Sequence, residues 1–186
     1  QLPSQMYDVV KIYLHLLDEG VSNSDIIVIG DSAGATLAMT FSLWLRDNKY
    51  PLPGHIVCFS LWADATSSGD SKIKNAYTDP FYGIAKHKKI EDNLHLLRRI
   101  PKYVLNVDRT DPYISPLFGS FAKFPKVTLI CGTADLDESD SDRVYDKMKN
   151  ANIDVELYKF EGMCHCFQLF SFLPESKKAY ELVKRR

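Results

Sequence analysis

Gly30-Asp31-Ser32-Ala33-Gly34 decides how this chain reads, through what lies on either side of it. Asp25-Ile26-Ile27-Val28-Ile29 runs into it as a short apolar, β-branched segment. The residues from Ala35 to Leu45 leave it with good helix formers and apolar positions at helical spacing. A strand, a G-x-S-x-G pentapeptide and a helix together are the setting of a nucleophile elbow. Such a turn is so sharp that small residues flank the serine, hence glycine two positions before and two after. It lifts the hydroxyl above the sheet, beside a helix N-terminus whose amides and dipole favour negative charge. The plainer alternative is an ordinary tight turn between strand and helix, since glycine and serine are common there.

Outward from the elbow, strand-like runs fall at Ile26–Ile29, His55–Ser60, Val127–Cys131 and Val155–Phe160. Helical segments separate most of them, at Ala33–Asp47 and Asp140–Ala151. Tyr7, Val10, Tyr13, Leu14 and Leu17 form one apolar face of a helix from about Pro3 to Glu19, which Gly20 is placed to stop. A last helix is expected over Glu175–Lys184, with Lys184-Arg185-Arg186 as a solvated basic end. Near-continuous apolar strands alternating with helices predict an α/β fold, a mostly parallel sheet covered by helices on both faces. Residues 62–124 interrupt that rhythm. They hold the polar run Asp64–Asn75, the prolines Pro80, Pro101, Pro112 and Pro116, and a charged helical piece over Lys86–Arg99. An excursion of this size between strands reads as a lid or pocket wall, or else as an ornamental insertion.

With 186 residues, 45% of them hydrophobic, and a net charge of −1, the expectation is one soluble globular domain spanning 1–186. The balanced charge offers no basic stripe for nucleic acid. No apolar run approaches the length of a membrane span, and the first residues are not a signal sequence. Of four cysteines, Cys58 and Cys131 lie in strand-like runs and read as buried thiols, which fits a reducing intracellular or ER-associated setting.

A serine hydroxyl is a poor nucleophile without a base, and the base needs an acid to hold its tautomer. The chain supplies both in the order serine, acid, histidine. Gly132-Thr133-Ala134-Asp135 follows one strand and puts a carboxylate just past its end. Glu161-Gly162-Met163-Cys164-His165-Cys166-Phe167 follows the next and puts an imidazole in the corresponding loop. Ser32, Asp135 and His165 thus fall at one edge of the expected sheet, where open α/β sheets bind ligands. Asp137 is the fallback acid, and the cluster of Asp137, Glu138, Asp140 and Asp142 is otherwise a solvated helix start. His15 and His95 lie on helical pieces, His87 in a charged run, and His55 opens a strand. Cys164 and Cys166 beside His165 would suit a metal or redox pair, but no second ligand pair has zinc-site spacing, so no metal and no cofactor is expected. A working His165 should lose activity as it protonates near its reference pKa of about 6.5.

These segments together resemble the hormone-sensitive-lipase-type branch of the α/β-hydrolase fold, a group of carboxylic ester hydrolases. Gly30–Gly34 matches its GDSAG motif. Ser60-Leu61-Trp62-Ala63-Asp64, with Thr66, Gly69, Ser71, Asn75 and Asp79-Pro80, resembles the segment after its next strand. Asp111-Pro112-Tyr113-Ile114-Ser115-Pro116-Leu117 resembles its D-P-x-x-S-P-L, and Gly132–Asp135 and Gly162–Phe167 resemble its acid and histidine motifs. Leu61 stands where the family usually has proline, and Leu136-Asp137-Glu138 reads about one residue longer than its acid loop. The resemblance implies a serine esterase or lipase-like deacetylase. Ser32 would attack, His165 take the proton, Asp135 orient the imidazole, and Ala33 N–H face the oxyanion. The implied partner is a small-molecule ester with an apolar acyl group; fungal steryl acetyl hydrolases are a plausible neighbour.

The family's H-G-G-G oxyanion stretch does not occur in the sequence. The resemblance therefore implies a C-terminal portion of a longer hydrolase, without the N-terminal strands and oxyanion loop, and any membrane association would come through that preceding region. Losing those donors should cost roughly two to three orders of magnitude in rate or more. The isolated chain should be poorly soluble or partly unfolded, and nearly inactive, because the elbow strand lacks its neighbour. The competing expectation is a hydrolase-like scaffold that binds a ligand or partner without catalysis, or an inactive fragment.

Overall fold

β-branched and apolar side chains dominate the four predicted strands, and in the computed structural model they pair into one parallel sheet. The structure describes residues 4–184. The expected helix start at Pro3 and the basic end at Arg185 and Arg186 lie outside the described residues. The strands are β1 (Ile27–Asp31), β2 (His55–Phe59), β3 (Lys126–Gly132) and β4 (Val155–Phe160), ordered β1-β2-β3-β4. The helices are α1 (Ser4–Asp18), α2 (Ala33–Asp47), α3 (Ser71–Lys74), α4 (Leu94–Leu97), α5 (Glu138–Asn150) and α6 (Pro174–Lys184).

Alternation along each strand sorts its side chains to two cores. Ile56, Cys58, Val127, Leu129, Val155 and Leu157 meet Ala35, Ala38 and Met39 of α2 and Val144 and Met148 of α5. Val57, Phe59, Ile130 and Tyr158 point the other way, towards Ala179 of α6 and Phe167. Helix α1 lies outside α2, with Met6, Val10 and Tyr13 against Phe41 and Leu45. Cys58 and Cys131 are buried free thiols, and burial pushes both well up, Cys131 to about 12.

The sequence reading needs three corrections. The elbow strand begins at Ile27 and runs on through Gly30 and Asp31, because both pair with β2 as far as Phe59. Its far face is not covered. Ile27 and Ile29 are 48% and 55% exposed, so the expectation of helices on both faces holds for β2 to β4 and not for β1, which has no strand on its outer side among the described residues. The charged piece over Lys86–Arg99 is not one helix. It gives a 3-10 turn at Glu91–Asn93 and the single turn α4, because Ile84 and Leu97 are drawn down onto Ala76 and Leu136.

Candidate active site

Register brings the carboxyl ends of β1, β3 and β4 to one edge of the sheet: Asp31 pairs with Phe59, Phe59 with Ile130, and Gly132 with Phe160. Ser32 sits just past β1 with φ 52° and ψ −120°, and its N–H donates to Phe59 O at 2.9 Å. A non-glycine residue held there stores on the order of 1–3 kcal/mol of strain. Of the two flanking glycines only Gly30 is required by space. A Cβ there would lie 2.3 Å from Gly34 O, whereas one at Gly34 meets nothing within 4 Å. Ala33 opens α2, where its N–H has no intrahelical acceptor.

His165 reaches across to the elbow. Its Nε2 lies 2.9 Å from Ser32 Oγ and its Nδ1 lies 2.9 Å from Asp135 Oδ1. The three residues named from sequence are thus brought together, and Asp135, not the fallback Asp137, makes the close contact. The histidine loop is held by its own strained backbone, with Cys166 at φ 52° donating its N–H to Ser60 Oγ at 2.8 Å. It also packs tightly against the acid loop, since a Cβ at Gly132 would lie 1.9 Å from Met163 O. Tyr82 meets the imidazole edge-on at 4.8 Å between centroids. Burial alone would lower the imidazole pKa, but the hydrogen bond to Asp135 and the charges of Asp135 and Asp137 outweigh it and hold His165 well above its ordinary 6.5.

The acid loop is fastened by residues 64–79, whose role the sequence did not disclose. Asn75 Nδ2 donates to Asp135 O at 2.7 Å, and Leu136 N–H donates to Asp79 Oδ2 at 3.0 Å. Ser71 Oγ bonds Leu136 O at 2.7 Å and Ser139 Oγ at 2.6 Å. Asp140 Oδ2 accepts the N–H groups of Ala63 at 2.9 Å and Asp64 at 3.0 Å. Arg143 in turn pairs with Asp64 at 2.9 Å. Asp137, Glu138 and Asp140 are buried, so the solvated helix start does not describe them. Burial, then the Asp137 charge, pushes Asp140 up to about 8.

Asp137 forms an ion pair with Lys72 and lays Oδ2 3.6 Å from His165 Nδ1. Asp135, Asp137 and His165 bring their ligand atoms within 4.8 Å of one another. Lys72 already holds Asp137, and Nδ1 already bonds Asp135, so these ligand atoms already have partners within the chain. Two cavities adjoin the elbow, and Ser32 itself lines the smaller. One of about 140 Å³ is lined by Ser32, Ala33, Trp62, Leu97, Leu136 and Lys72, among others. A larger cleft of about 630 Å³ runs from Ala33 and Gly34 past Trp44, Trp62, Val107 and Ile114.

Known proteins share this arrangement of elements. The family model of the alpha/beta hydrolase fold matches residues 1–169. A curated esterase of Acinetobacter venetianus is 29% identical over 179 residues, covering 95% of this chain and 56% of that protein. An acetyl-hydrolase of Streptomyces hygroscopicus is 29% identical over 182 residues, covering 97% and 58%. A crystal structure of an esterase from the bacterial hormone-sensitive lipase family superposes with a TM-score of 0.83 at 30% identity, over 96% of this chain and 57% of that one. The chain spans little more than half the length of these relatives.

Proposed function

The chain belongs to the alpha/beta hydrolase fold family, and from that footing we propose that it acts as a serine carboxylic ester hydrolase with Ser32 as nucleophile, His165 as base and Asp135 as the orienting acid. What carries the reading is the pair of 2.9 Å contacts that joins Ser32 Oγ to Nε2 and Nδ1 to Asp135 Oδ1. In the proposed sequence, Ser32 Oγ adds to the ester carbonyl as its proton passes to Nε2. The resulting oxyanion faces Ala33 N–H, the N–H of the residue after the nucleophile. His165 then returns the proton to the leaving alkoxide, and water, activated in the same way, releases the acid.

Trp44, Trp62, Val107 and Ile114 make the cleft beside Ala33 largely apolar, which supports an ester with an apolar acyl or alcohol part; a sterol acetate is one such substrate. The names of the similar esterase and acetyl-hydrolase support the same reaction class. Because neutral imidazole is the form that accepts the proton, the raised pKa of His165 puts the acid limb of activity above 6.5 rather than at it. A fluorophosphonate probe and p-nitrophenyl acetate test the assignment: labelling and turnover should vanish in Ser32→Ala, and labelling that persists there removes Ser32 as nucleophile. Tight ligand binding without turnover between pH 6 and 9 would favour a non-catalytic scaffold instead.

A further inference from the structure

A serine–histidine–acid relay needs one carboxylate at Nδ1, and this chain supplies two. Asp135 Oδ1 lies 2.9 Å from Nδ1 and Asp137 Oδ2 lies 3.6 Å from it, while Asp137 N–H donates to Asp135 Oδ1 at 2.8 Å. The other oxygen of Asp137 is held by Lys72, which α3 brings in from the excursion. All four groups are nearly sealed from solvent, with exposures of 0% for Asp135, 3% for His165 and 5% each for Asp137 and Lys72. With His165 neutral, the quartet carries one net negative charge with Lys72 and two without it. At such low exposure bulk water cannot screen the difference.

We propose that Lys72 is a positioning residue for His165, acting through Asp137: its ammonium offsets the second carboxylate at Nδ1, so that the imidazole can release a proton and serve as base. The proposal rests on His165 being the base of the reaction above. Lys72 and Asp137 also line the small cavity at Ser32, so a bound acyl group would bury the pair further. The other groups around the ring do not replace the ammonium. Arg99 lies over the Tyr82 ring at 4.2 Å, one residue removed from the imidazole. Cys164 and Cys166 flank His165 on its own loop, Cys166 Sγ lies 3.8 Å from Asp31 Oδ2, and Asp79 is bonded to Leu136 N–H. Asp140, with Asp137 and Asp135, adds to the negative field that keeps Lys72 protonated. Among the described residues Lys72 is the one cation besides His165 ion-paired with either carboxylate at Nδ1.

The test is a titration of His165 by side-chain NMR on the full chain, for wild type, Lys72→Met, Lys72→Arg, Asp137→Asn and the double variant Lys72→Met/Asp137→Leu. The pH dependence of Ser32 labelling by a fluorophosphonate is read in parallel. Lys72→Met should move the His165 midpoint up by about one pH unit or more, and Asp137→Asn should move it down by a similar amount. Lys72→Arg and the double variant should return it to within about half a unit of wild type. A midpoint unmoved in Asp137→Asn, or moved the same way in both single variants, overturns the proposal. Should Lys72→Met not fold, Asp137→Asn and the double variant decide by the same criteria. Failure of the esterase reading looks different: Ser32 stays unlabelled at every pH in wild type while the His165 shifts persist.

Discussion

The loop that carries Asp135 and the turn that carries Ser32 share one sheet edge but are held by different means. The acid loop is tied by side chains: Ser71, Asn75, Asp79 and Asp140 bridge it to residues 63–79. It follows β3, which pairs on both sides and is buried from Val127 to Gly132. The serine turn follows β1, at the sheet's outer edge, and is held mainly by backbone shape and main-chain bonds, Ser32 N–H to Phe59 O and Thr36 N–H to Ser32 O, with the hydroxyl reaching His165 Nε2. A side-chain lattice fixes a position redundantly but depends on every buried polar group staying paired. A strained turn depends on a few main-chain angles and tolerates change wherever those angles are untouched.

Substitutions can break this contrast. The largest effect is expected at Ser32→Ala, on the order of 10⁶-fold in kcat, with thermal stability unchanged or raised as the side chain shrinks; kinetics and calorimetry on one preparation check both. Asp135→Asn should cost about 10⁴-fold by holding the wrong imidazole tautomer, while the fold survives. Asp140→Ala touches no reacting atom, yet it strands the buried N–H groups of Ala63 and Asp64 and should cost about 2–4 kcal/mol in denaturant unfolding. On the serine side, Gly30→Ala should cost about 1–3 kcal/mol, because its Cβ would strike Gly34 O. Gly34→Ala should change stability by no more than about 1 kcal/mol, and in the favourable direction, because the helical site is open. Equal costs at the two glycines would show that the turn is not held by shape.

The smallest effect is one of pH. The raised pKa of His165 means that its contribution to stability is complete below about 6.5 and is lost as pH rises through the folded-state value. Asp140, raised to about 8, loses stability over the range up to that pH as well. Ester hydrolysis should rise over the same range as the imidazole loses its proton. Tm and labelling rate measured from pH 6 to 9 should therefore move in opposite directions, and parallel trends would break the link.

Much of this was legible in the sequence because its signals are local. The four apolar runs, the pentapeptide between strand and helix, and the acid and histidine just past successive strands each declare themselves within about ten residues. The clamp on the acid loop was not legible. Ser71, Asn75 and Asp79 stood out only as part of a resemblance, since their partners lie 57 to 68 residues away. Lys72 was one unremarked residue of the polar run Asp64–Asn75, since its partner Asp137 lies 65 residues away. The helix expected over Lys86–Arg99 failed because burial of Ile84 and Leu97 outweighed helical propensity in a run with four successive cationic or titratable residues, Lys86-His87-Lys88-Lys89.

The hydrogen bond between Ser32 Oγ and His165 Nε2 joins residues 133 positions apart, from opposite edges of the sheet. Every strand pairing between them is parallel and needs a long crossover, so the chain must close several large loops before those two atoms can meet. Contacts of such span form late in folding, after local helices and neighbouring strand pairs. On its proposed role, Ser32 is consequently a clock for the chain's own maturation: during refolding its probe reactivity should emerge after far-UV circular dichroism has recovered, and a chain that has the secondary structure but not that reactivity is one still waiting to close.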